Sequence, residues 1–202
     1  MELSNNQVDT LQELFNVGVG RAAASLNVML ESKVELAVPS IKTFQFKDIS
    51  SELCEYVGQA SFAVRQSFSG AVSGSVLLFM STESAVRLVA YLTDEEVGSP
   101  ELDSIKVSTL SEIGNIVING VMGTLANMLE LQFEYSMPGY AEGLAIELIK
   151  REGFSGEAGM LMVNTRFNVK ERFVEGNFVF LMEMDSFESL MDRIDAVNES
   201  HK

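Results

Sequence analysis

Residues 9–31, DTLQELFNVGVGRAAASLNVMLE, and residues 108–130, STLSEIGNIVINGVMGTLANMLE, are one segment written twice. Aligned without a gap they share eight identities in 23 positions, where background composition gives about one or two. Glu13 and Asn16 recur 99 positions later as Glu112 and Asn115, and Pro39 recurs at the same offset as Pro138. A period this long exceeds any solenoid unit. The expectation is therefore a single domain over residues 1–202, made of two half-repeats (about 1–98 and 99–202) related by a pseudo-twofold axis.

Both copies read Asp or Ser, Glu four positions on, Asn three further, and Pro after a gap of 22 residues. At about 100° per residue, positions 9, 13 and 16 fall within roughly 60° of one another, so they line one face of a helix, as do 108, 112 and 115. The apolar positions Leu11, Leu14, Phe15, Ala22, Leu26 and Met29 lie mostly on the other side, matched by Leu110, Ile113, Val117, Val121, Leu125 and Met128. Glu and Asn should thus face solvent or a partner. Asp9 and Ser108 are good N-cap residues and are candidate helix starts, with Ser4-x-x-Gln7 a rival cap upstream. Asn in a helix interior costs on the order of a few tenths of a kcal/mol against Ala, because its amide competes for backbone hydrogen bonds. Both copies carry that cost at the matching exposed position, which favours a functional role for the Glu/Asn pairs.

The pattern Asp9-x3-Glu13-x2-Asn16-x22-Pro39, repeated as Ser108-x3-Glu112-x2-Asn115-x22-Pro138, resembles the CheC/CheX/FliY family of bacterial chemotaxis phosphatases, and two copies in about 200 residues resemble its CheC-like members. The resemblance implies two active sites, Glu13 with Asn16 and Glu112 with Asn115, acting on the phosphoaspartate of a CheY-type response regulator. Asn has no titratable proton and no useful nucleophilicity, so its task would be to orient a water for in-line attack on phosphorus. The acyl phosphate and its Mg²⁺ would belong to the regulator, leaving the phosphatase with no cofactor of its own. The resemblance further suggests that the glutamate docks against the regulator's lysine. A different reading is a non-catalytic adaptor that binds a CheD-type receptor deamidase or a flagellar-switch partner. Copy one departs from the usual Glu-Ile-Gly-Asn in having Phe15 before Asn16, a ring either absorbed into the core or obstructing a partner, whereas copy two keeps Gly114.

Composition fits this reading. A chain of 202 residues with 47% hydrophobic content can bury a full core. Its net charge of −15 argues against nucleic acid as a partner. The sequence contains no 18-residue apolar run and no signal-like N-terminus, so the expected location is cytoplasmic, without membrane insertion. Lone Cys54 and tail residue His201 offer no triad, thiol or zinc chemistry, and no glycine-rich phosphate loop is present.

The predicted fold class is α+β, CheC-like, with an antiparallel sheet and the long motif helices packed on it. Periodicity predicts strands near 33–46, 56–66 and 70–80 and a helix near 82–93 in the first half. In the second it predicts strands near 131–136, 143–150, 157–165 and 176–184 and a closing helix at 185–196. Residues 94–100 read as the connector. Glycines 18, 20, 114, 120 and 123 lie within helical pattern, where Gly costs roughly 1 kcal/mol and is kept where another backbone comes close. That neighbour is either the sheet, the other motif helix or a docked partner.

Overall fold

The computed structural model describes residues 3–31, 33–45, 60–93, 103–154, 158–169 and 171–200. The predicted connector at 94–100, Cys54, His201 and the ends of the strands predicted from 33–46, 56–66 and 157–165 lie wholly or partly outside these residues.

The first motif segment forms helix α1 (Asn5–Leu30) and the second forms α3 (Ser104–Met128). Neither starts at the expected residue. Ser4 caps α1 in a capping box, its hydroxyl accepting from the Gln7 N–H at 3.2 Å while the Gln7 side chain accepts from the Ser4 N–H at 2.9 Å. Asp103 caps α3, its carboxylate accepting from the N–H groups of Ile105 and Lys106 at 3.0 and 2.9 Å. Asp9 and Ser108 therefore sit inside their helices, because better-placed caps lie about one turn upstream. Both helices end alike, with Glu31 and Glu130 in the left-handed region at φ 48° and 52°.

Behind the helices lies one antiparallel sheet. Its strands are β1 (Val34–Gln45), β2 (Ala60–Gly70), β3 (Gly74–Ser81), β4 (Phe133–Tyr135), β5 (Gly139–Leu144), β6 (Gly159–Val169) and β7 (Arg172–Met182). The order is β1-β6-β7-β3-β2, with β4 and β5 both pairing along the outer side of β2. At the centre, β3 and β7 pair with Leu78 opposite Phe178 and Phe79 opposite Asn177. Positions about one repeat apart thus face each other, as they do where a twofold axis crosses a sheet. Helices α2 (Thr82–Thr93) and α5 (Met184–Ser200) join α1 and α3 over the larger core, and the short α4 (Ala145–Lys150) covers a smaller cluster on the other face.

Five strand predictions need correction. Residues 145–150 of the predicted strand 143–150 are helical, since Ala145, Leu148 and Ile149 at i, i+3 and i+4 bury one stripe against Phe79, Met160 and Val179. The hairpin predicted from 56–66 and 70–80 turns later, with strands at 60–70 and 74–81, because inward alternation continues past Gln66 to Phe68. Likewise 157–165 and 176–184 become 159–169 and 172–182, with Phe167, Val169 and Val174 extending the buried face.

Each outer strand is bulged at its motif proline. Ala37 pairs with Arg166 and Ser40 with Asn164, so Val38 and Pro39 together face Thr165. In the other half Tyr135 pairs with Phe68 and Gly139 with Arg65, so three residues ending in Pro138 face Gln66 and Ser67. Pro has no N–H to give a ladder, which suits it to such a position.

Two of the helical glycines mark the crossing of α1 and α3. A Cβ on Gly18 would stand 2.8 Å from the Val121 Cα, and one on Gly120 would stand 2.9 Å from the Ala22 Cβ, whereas a Cβ on Gly20 meets nothing within 4 Å. Gly18→Ala should therefore destabilise the fold by about 1–3 kcal/mol through overpacking, and Gly20→Ala should stabilise it by roughly 0.5–1 kcal/mol, both read from denaturant midpoints. A second expectation concerns the α3 cap. The bond from the Lys106 N–H holds the Asp103 carboxyl below its usual range, so its charged form stabilises the folded state. The wild type's advantage over Asp103→Asn should be full above about pH 4 and fade as the pH falls below it, as measured by urea unfolding across pH.

Candidate functional site

The second motif copy converges on one hollow. Ser108, Ser111, Glu112 and Asn115 from α3 meet Pro138, Gly139 and Tyr140 from the bulge and β5, with Val64 of β2 as the floor, around about 210 Å³. Gly114 makes this possible. A Cβ there would lie 2.4 Å from a Val64 methyl carbon, so only glycine lets α3 settle this closely on β2. The bulge is held from below: Gln66, buried on β2, donates its amide to the Ser136 carbonyl at 3.0 Å, and the Ser67 and Ser136 main chains are joined by a bond of the same length. The Tyr140 ring stacks on Phe62 with centroids 6.2 Å apart, which fixes that wall.

Within the hollow Glu112 is exposed and Asn115 half-buried. The Asn115 amide oxygen accepts from the side-chain amide of Asn119 at 2.9 Å, one helical turn away. A carboxylate and an amide held side by side over an apolar floor can grip a cation and orient a water, and the amide itself is no nucleophile. Among the described residues no three acidic, cysteine or histidine side chains gather at metal-ligating spacing.

The first copy is arranged differently. Asp9, Glu13 and Asn16 share the exposed face of α1, and Asn16 points toward the bulge that holds Pro39. Its amide oxygen accepts from the Val38 N–H at 3.0 Å, while Gln12, one turn earlier, donates to the Val38 carbonyl at 3.1 Å. Phe15, the counterpart of Gly114, turns fully inward and meets Phe180 edge-on with centroids 5.3 Å apart, so it obstructs nothing. Helix α1 packs along β1, whereas α3 hardly touches β4 or β5.

Sequence reasoning missed Asn119, Ser111, Tyr140 and Val64 as parts of the second site. The two helical residues were findable, since 111, 115 and 119 recur every four positions along one face. Tyr140 and Val64 arrive from strands whose pairing no local pattern reveals.

No family model matches the chain. It is 26% identical over 204 aligned positions to the CheY-P phosphatase CheC of Bacillus subtilis (strain 168), covering 93% of each protein. Among solved structures, Thermotoga maritima FliY superposes with a TM-score of 0.77 at 18% identity, covering 98% of this chain and 100% of that one. The FliM middle domain from H. pylori follows the same fold with a TM-score of 0.67 at 14% identity, covering 95% and 99%. No described helix is long and apolar enough to cross a membrane. With a curated relative aligned over nearly its whole length, a shared fold and both motif copies in place, the chain is similar to the CheC/CheX/FliY family.

Proposed function

We propose that the protein hydrolyses the aspartyl phosphate of a CheY-type response regulator. The observation that carries this reading is the convergence of Ser108, Glu112, Asn115 and Pro138, spread over 30 positions of sequence, on one hollow. The similarity to a curated CheY-P phosphatase along nearly the whole chain supports it.

In this reading Asn115 orients the attacking water, accepting from one of its protons or donating to its oxygen so that a lone pair is aimed at phosphorus. The gain is positional: a water held in line costs less entropy at the transition state than one recruited from solvent. Glu112, exposed at the rim, pairs with a lysine of the docked regulator. The electrophile and its Mg²⁺ come with the substrate, in the cytoplasm, so the protein contributes geometry rather than a metal or a covalent intermediate. Asn16 and Glu13 repeat these residue types in copy one.

Phosphate release from a phosphorylated, Mg²⁺-bound regulator tests the proposal. Asn115→Ala should lower kcat on the order of a hundredfold with KM little changed, as for a group that acts only in the transition state. Glu112→Gln should instead raise KM by about tenfold or less, the size expected for losing one partly exposed ion pair. No acceleration by the wild type with any of several regulators would point to the adaptor reading.

A further inference from the structure

The two motif copies differ in the residue before the glutamate. Copy one has Gln12 before Glu13, and copy two has Ser111 before Glu112. Gln12 reaches across to the Val38 carbonyl at 3.1 Å while Asn16 takes the N–H of the same residue at 3.0 Å. Val38 lies in the bulge, where both of its peptide groups are out of register with β6. Two side chains one turn apart thus clasp one residue through its two flanking peptide groups, and Val38 is 2% exposed beneath them.

Ser111 is too short for this. Its hydroxyl turns back to the Val107 carbonyl of its own helix at 2.7 Å. Met137, the counterpart of Val38, is 91% exposed, and the space beside Asn115 stays open. The donors to the two asparagines also differ. Asn119 is an exposed side chain that can rotate away from Asn115. The Val38 N–H belongs to a strand, and freeing Asn16 from it strands a buried donor.

Building on the phosphatase reading, we propose that Gln12 latches copy one: by clasping Val38 together with Asn16 it withholds Asn16 from a substrate water, so hydrolysis runs at copy two. The residue before the motif glutamate then decides which copy works. Asn16 is in this state a strand anchor, and Gln12 a residue that acts through it.

Hydrogen exchange and turnover test the latch together on the full chain. In Gln12→Ala and in Asn16→Ala the Val38 amide should exchange at least about tenfold faster, and Asn16→Ala should lower Tm by about 2–6 °C. Asn16→Ala should keep kcat within about twofold, while Asn115→Ala loses most of it. Adding Gln12→Ala or Gln12→Ser to Asn115→Ala should recover turnover several-fold, because a released Asn16 can then serve. Unchanged Val38 exchange overturns the latch whatever the turnover. So does loss of kcat in Asn16→Ala equal to that in Asn115→Ala, or no recovery in the double variants. Faster exchange alongside no wild-type turnover leaves the clasp standing as a structural device and overturns the phosphatase reading alone.

Discussion

The close crossing of α1 and α3 is the constraint from which the remaining geometry follows. At Gly18 and Gly120 the two helices pack nearly backbone to backbone, with only the Ala22 methyl against Gly120, which sets their distance. Each helix can then lie over the sheet with one apolar stripe inward, and its Glu/Asn face is directed to the sheet's outer strands rather than to its centre. The sheet meets this arrangement with matching symmetry, β3 against β7 at the middle and a proline bulge in each outer strand. Helix face and bulge come together because both are placed by the same crossing.

Within that frame single side chains decide how each copy is used. Gly114 brings α3 onto Val64 and leaves a hollow, while Phe15 sends its ring to Phe180 and α1 lies along β1. Gln12 and Ser111 then make opposite choices of partner, one across to the strand and one back along its own helix. Duplicated motifs with identical Glu and Asn thus stand in different surroundings.

Much of this was legible in the sequence for physical reasons. The motif helices and α2 carry long stripes at a period of 3.6, and the likeness of the two motif segments was visible in eight identities where composition gives about one or two. The hairpins were less legible, because Gln66 and Thr165 interrupt the inward alternation while being buried themselves. Strand and helix were confused at 145–150, where a six-residue apolar run fits either period. The clasp on Val38 was invisible, since it joins α1 to a peptide 26 positions beyond Gln12 through the main chain, which no side-chain pattern encodes.

The paired bulges also bear on how the molecule behaves among its own copies. The edge of an open sheet is in general a template for pairing with a passing strand. Among the described residues each outer strand is broken at its motif proline, by a residue that has no N–H to offer and by a bulge that spoils the register of an incoming chain. The residue that brings the edge to the asparagine therefore also blunts that edge against an incoming strand.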